Sequence, residues 1–178
     1  MGDKIELRLS GTGGQGLILA GIVMADAAIR DGRNSIQYQS YGPEARGGAS
    51  RAEVIIDDEE IDYPRVSHPD VLLVMSQEAC DKFANDLAGG GVMIVDSTYV
   101  QEMPEIHGRV YKLPISRTAR EEVGWEMVAN VVALGALVRI TGVVSREALN
   151  VALSVRIPNG LEDINRKALN VGWELAER

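Results

Sequence analysis

The run Gly11-Thr12-Gly13-Gly14-Gln15-Gly16 has the G-x-G-x-x-G spacing that brings backbone N–H groups and a helix dipole to bear on an anion where a strand turns into a helix. Three uses of such a turn compete. A dinucleotide site also needs an Asp or Glu about twenty residues on, at the end of the second strand, to hold the ribose hydroxyls. Gln37, Gln39 and Ser40 stand in that place, which counts against this use. A phosphate or coenzyme tail needs only the N–H groups. The plainest use is a tight turn with close helix–strand packing, for which glycine alone suffices.

A second constellation is Ser40-Tyr41-Gly42-Pro43-Glu44-Ala45-Arg46-Gly47-Gly48, at the carboxyl end of a strand, where open α/β sheets place their ligands. Pro43 fixes one dihedral and the glycines permit unusual ones, so Tyr41, Glu44 and Arg46 can be held in defined directions. Arg46 can pair with a carboxylate or phosphate. The alternative is a structural turn in which Glu44 and Arg46 pair with each other or with nearby backbone.

Other polar residues point more weakly to chemistry. Ser76-Gln77 and Asp96-Ser97 follow apolar runs and read as helix caps before ligand contacts. Cys80, inside an expected helix, reads as a small core residue before a nucleophile. Asn130 is either a satisfied buried amide or a group facing a partner. His68 and His107 have no Cys or carboxylate set at metal spacing. No Ser, His and Asp arrangement or paired carboxylate motif supplies an activated group, so the chain is not expected to be active alone.

The elements that position these residues follow from periodicity. Ile5 to Ser10 reads as a strand, Leu17 to Arg30 as a helix closed by Asp31-Gly32, and Ser35 to Gln39 as a second strand. The segment Arg51 to Ile56, followed by the acidic run Asp57 to Glu60 and Ile61, reads as a hairpin. Val71 to Met75 and Val92 to Asp96 are apolar runs typical of buried parallel strands, with a helix between them over Gln77 to Leu87. A last strand is predicted over Arg109 to Leu113 and helices over Glu126 to Ile140, Ser145 to Leu153 and Leu161 to Glu177. The fold class is therefore α/β: a mainly parallel sheet with helices on both faces, Rossmann-like and three-layered, with a helical C-terminal third.

Length and composition bound the function. The 178 residues, 46% apolar, suit a single domain over 1–178. A net charge of -8 without a basic cluster argues against nucleic acid as a partner. One cysteine rules out an internal disulfide, and an iron–sulfur cluster held by this chain alone, which takes about four thiolates. No apolar run approaches the roughly 18 residues of a membrane span and no secretory signal is evident, so no membrane association is expected and cytoplasm is the expected location.

Taken together, the first glycine run through Leu17, the Tyr41 to Gly48 loop, Ile61-Asp62-Tyr63-Pro64, Pro69-Asp70-Val71-Leu72 and Ala129-Asn130-Val131-Val132-Ala133-Leu134-Gly135 resemble the gamma subunit of 2-oxoacid:ferredoxin oxidoreductases, the pyruvate/ketoisovalerate oxidoreductase type of domain. The resemblance runs from about Leu7 to Glu174, and the form of the second loop looks most like the 2-oxoglutarate branch. It implies an assembly that oxidatively decarboxylates a 2-oxoacid, passes electrons to ferredoxin and transfers the acyl group to coenzyme A. In it, alpha and beta subunits hold thiamine diphosphate, and cysteine-bearing chains, including a ferredoxin-like delta subunit, hold iron–sulfur clusters. By the same resemblance Gly11, Gly13, Gly14, Gln15, Gly16, Tyr41, Glu44 and Arg46 are candidate contacts for coenzyme A, with no catalytic residue in this chain. Alternatives are the small subunit of indolepyruvate oxidoreductase and a free-standing nucleotide-binding module. An isolated chain can form a homodimer through a surface that normally faces a partner.

Overall fold

The computed structural model describes residues 4–40 and 48–178. Six strands among them, β1 (Ile5–Thr12), β2 (Asn34–Ser40), β3 (Ala49–Asp57), β4 (Val71–Val74), β5 (Val92–Asp96) and β6 (Arg109–Leu113), form one sheet in the order β2-β3-β1-β4-β5-β6. The helices are α1 (Leu17–Arg30), α2 (Gln77–Phe83), α3 (Ile115–Thr118), α4 (Ala129–Thr141), α5 (Arg146–Ser154) and α6 (Glu162–Leu175). Strands β1, β4, β5 and β6 are parallel, whereas β3 runs antiparallel to both of its neighbours, β1 and β2.

Central strands β4 and β5 are buried at every residue, which is why they read as unbroken apolar runs: helices cover both of their faces. Alternate side chains divide the core. Leu7, Leu9, Val54, Leu73 and Ile94 belong to the cluster shared with α1 and α4. Leu72, Val74, Met93 and Val95 belong to the cluster shared with Cys80 and Phe83 of α2. The mainly parallel sheet with helices on both faces is thus as the sequence predicts. On the first face the helices stack two deep, because α6 packs on α4 and α5 on α1.

The acidic run Asp57 to Glu60 does not close a hairpin; the strands that pair as one are β2 and β3. Asp58 and Glu59 instead pin the start of β2, through Arg33 Nε to Asp58 Oδ1 at 2.6 Å and Asn34 Nδ2 to the Glu59 carbonyl at 2.9 Å. Residues 58–70 then cross to β4 without strand structure. Pro64 and Pro69 lack the N–H that a ladder requires. Two short elements escape the sequence reading: α3 and the π-turn Ala119–Val123 that continues it. Both are too short to show a period.

In α4 every residue from Ala129 to Val138 is buried, as an all-round apolar helix between sheet and outer helix must be. It crosses α6 through two glycines. A Cβ on Gly135 would collide with the Leu169 carbonyl, and one on Gly172 with the Val132 carbonyl. Backbone meets backbone there, so neither position tolerates a methyl group. Gly172→Ala is expected to destabilise the chain by about 1–3 kcal/mol, read as a lower denaturation midpoint with an unchanged far-ultraviolet spectrum after refolding.

Candidate functional site

The parallel strands β1, β4 and β5 end at one edge of the sheet, which aligns Thr12 to Gly16, Met75-Ser76 and Asp96 to Thr98. The glycine turn is closed by its own side chain. Gln15 folds back so that its Oε1 accepts the Thr12 N–H at 2.8 Å, while its Nε2 donates to the Met75 carbonyl at 3.1 Å. Glycine at 11 leaves room for this fold-back, because a Cβ there would displace Gln15 Oε1 and crowd Leu17 and Met75. Gly16, at φ 73°, takes a left-handed conformation that favours glycine. Its carbonyl accepts Asn130 Nδ2 at 3.0 Å, and a side chain at Gly16 would run into that amide.

Asn130 is therefore the satisfied buried amide of the two alternatives, with Oδ1 taking the Val131 N–H at 3.0 Å. Ser76 caps α2 by accepting the Ala79 N–H at 3.2 Å. Asp96 accepts the Thr98 N–H at 3.1 Å and the Ser116 N–H at 3.2 Å, which fixes the start of α3. Cys80 is fully buried, and burial pushes its thiol above the usual range, as befits a core residue rather than a nucleophile. Among the described residues no cluster of His, Cys, Asp and Glu could hold a metal ion.

The sheet order weighs against the dinucleotide use of the turn. Strand β2 does not lie beside β1; β3 separates them. Its carboxyl end is thus two strand spacings, about 10 Å, from the strand that feeds the turn, and it carries Gln39 and Ser40 without a carboxylate. What the turn does offer is the unpaired backbone N–H groups that begin any helix, at the start of α1. Gly13 and Gly14 have open space around them. Beside them a hollow of about 220 Å³ is lined by Gly14, Gln15, Ser116, Trp125 and Met127. Of the predicted site residues, Gly11, Gly13, Gly14, Gln15 and Gly16 are brought together here; Tyr41, Glu44 and Arg46 lie outside the described residues.

A buried ionic group on the α2 face is absent from the sequence-based expectations. Arg8, with a side chain 3% exposed, donates Nε to Glu53 at 2.7 Å, Nη1 to Asp86 and Nη2 to the Val66 carbonyl at 3.0 Å. The Arg51 guanidinium lies 5.4 Å from the Phe83 ring, on which Arg8 also rests. Tyr38 accepts the Val66 N–H at 2.6 Å. Burial, reinforced by Glu53, pushes its phenol up to about 12. Together these groups anchor the irregular 58–70 segment over the sheet and floor a cleft of about 600 Å³. The available signal was a charge inside each apolar strand, Leu7-Arg8-Leu9 and Ala52-Glu53-Val54, because burial of a charge requires a partner.

Two outcomes follow from this geometry. Gly16→Ala is expected to lower stability by about 1–3 kcal/mol through backbone strain and the Asn130 collision, whereas Gly13→Ala changes it by no more than about 0.5 kcal/mol; chemical denaturation distinguishes them. Between the ordinary phenol value of 10.0 and about 12, only the unfolded chain ionises at Tyr38, so stability present below pH 10.0 is lost as pH rises. Tyr38→Phe should flatten that alkaline decline in a pH series of melts.

Residues 6–175 match the family described as pyruvate ferredoxin/flavodoxin oxidoreductase. The chain is 49% identical over 175 residues to 2-oxoglutarate synthase subunit KorC of Methanocaldococcus jannaschii, across 97% of this chain and 94% of that protein. It superposes with TM-score 0.89 and 51% identity on the gamma subunit of a keto/oxoacid ferredoxin oxidoreductase from Geobacter sulfurreducens PCA, across 97% of this chain and 98% of the other. The fold also recurs, with TM-score 0.86 and 24% identity, in the 2-oxoglutarate:ferredoxin oxidoreductase from Magnetococcus marinus, solved with 2-oxoglutarate, coenzyme A and succinyl-CoA bound. There it covers 98% of this chain but 31% of that longer one. With sequence and backbone agreeing along almost its whole length, the chain belongs to the pyruvate ferredoxin/flavodoxin oxidoreductase family.

Proposed function

We propose that this chain is the gamma subunit of a 2-oxoglutarate:ferredoxin oxidoreductase, a single gamma-type domain over residues 1–178 working in the cytoplasm. The observation that carries this reading is the end-to-end similarity to a 2-oxoglutarate synthase subunit of nearly the same length. The assembled enzyme decarboxylates the 2-oxoacid oxidatively, passes electrons to ferredoxin and forms acyl-CoA. Its redox and thiamine chemistry belongs to alpha, beta and ferredoxin-like delta partners. The donor set here does not fit an iron–sulfur cluster, since Cys80 is the single cysteine, is buried, and faces the Glu102 carbonyl.

The contribution of this chain is to bind and orient coenzyme A. Gly13 and Gly14 present bare backbone beside the start of α1, where N–H groups and the helix dipole favour a phosphate. Gln15 and Gly11 hold the turn in shape, since both polar ends of the Gln15 side chain are engaged within it. Tyr41, Glu44 and Arg46 complete the proposed contacts, with Arg46 pairing to a phosphate. Isothermal titration of the assembled enzyme with coenzyme A tests this: Arg46→Ala should weaken binding by about tenfold or more, as loss of a charge-assisted bond does. Unchanged affinity would remove Arg46 from the site.

A further inference from the structure

The cleft of about 600 Å³ on the α2 face holds more positive charge than its own carboxylates balance. Arg8, Arg51 and Arg65 line it, against Glu53 and Asp86, in a chain whose net charge is -8. Arg8 is fully engaged, since its guanidinium reaches Glu53, Asp86 and the Val66 carbonyl. Glu53 is committed in turn. It accepts Arg8 Nε at 2.7 Å, and the Tyr38 hydroxyl also bonds to it.

Arg51 is the cation left over. Its ion pair is with Glu53 Oε1, 3.5 Å from Nε, and lacks hydrogen-bond geometry, so Nε is a buried donor without an acceptor. Among the described residues it is the one buried side-chain nitrogen or oxygen in that condition. Buried polar groups in native proteins are paired almost without exception, and one that is not calls for a further group. Arg51 is also held in place, because its guanidinium lies 5.4 Å from the Phe83 ring. The side chain nonetheless remains 31% exposed where it lines the cleft. Across from β3, the 58–70 segment supplies Arg65 and Tyr63 to the same cleft. Both are exposed, and no carboxylate of that segment lines it.

We infer that this cleft is a binding site for a small oxyanion, a carboxylate or a phosphate, held between Arg51 on β3 and Arg65 on the 58–70 segment. A guanidinium presents its donors as a planar fork that matches the oxygens of either group. A cleft of about 600 Å³ has room for a metabolite-sized molecule. It shares no lining residue with the hollow beside the glycine turn, so the site is separate from the phosphate contact proposed there and does not depend on it. An anion seated here joins β3 to the segment that crosses to β4, and its binding stabilises the folded chain.

The test is a nuclear magnetic resonance titration of the full isotope-labelled chain with inorganic phosphate and, separately, with 2-oxoglutarate. At least one probe should give saturable shifts at the Arg51 Nε–H and at the amides of Arg65, Val66 and Ser67, and the probe that does so identifies the oxyanion. Arg51→Met, which keeps an unbranched stem against Phe83, and Arg65→Ala should each weaken that binding by about tenfold or more, as loss of a charge-assisted bond does. Because Arg65 is exposed, its variant decides the matter if Arg51→Met does not fold. Shifts that never saturate with either probe, that are confined to Gly13 to Gly16, or that the folded variants leave intact would overturn the inference. So would displacement of the bound anion by coenzyme A, since the cleft would then belong to the coenzyme contact. Loss of the coenzyme role at Arg46 leaves the inference standing.

Discussion

The hydrogen bond from Asn130 to the Gly16 carbonyl is the constraint around which this molecule is arranged. One end belongs to the turn that launches α1, the other to the first turn of the most deeply buried helix. Because Asn130 is itself almost wholly buried, its amide must find partners. The carbonyl at Gly16 and the amide of Val131 supply them. The contact lets a residue early in the chain and one late in it set each other's position, and it requires a residue without a side chain at 16. The remaining geometry of the strand edge follows from it: α1 starts where Gly16 directs it, and Gln15 is left to fold back over Gly11.

A turn built this way looks like a nucleotide cradle in one dimension and behaves differently in three. The Gln15 carboxamide fills the inside of the curve and binds the ends of β1 and β4 together. The insertion of β3 between β1 and β2 removes the neighbouring strand from which a ribose-binding carboxylate would come. Packing on both sides and an open tip at Gly13-Gly14 therefore coexist in one motif. The first serves the fold, and the second is what remains for a ligand phosphate.

Much of the fold was legible in the sequence, for physical reasons that differ along the chain. Val92 to Asp96 and Arg109 to Leu113 agree with the structure to the residue, the first because a short apolar run between turns leaves little choice of boundary. Leu17 to Arg30 is equally clear, bounded by glycine at one end and Asp31-Gly32 at the other. The sequence points to a hairpin one strand too late, since the acidic run has the composition of a turn but its side chains hold β2. No local pattern reveals that β3 would enter between β1 and β2, as strand order is decided by distant pairings. Of the candidate site residues, the five of the glycine turn are those that the structure brings together. Met127 falls inside the helix expected over Glu126 to Ile140 and Trp125 just before it, and Arg8 with Glu53 are single charges whose pairing appears only when the strands are side by side.

The crossing of α4 and α6 at Gly135 and Gly172 has a mechanical consequence. Side chains at most helix contacts keep the two backbones apart and can accommodate small shifts by changing rotamer. Here each carbonyl sits where the opposite helix has no spacer at all, so sliding or twisting by even a fraction of an ångström meets hard atoms. The register of the two helices is therefore fixed at this crossing, and Asn130 ties the first turn of α4 to the glycine turn, so one helix sets both the outer layer and the strand edge.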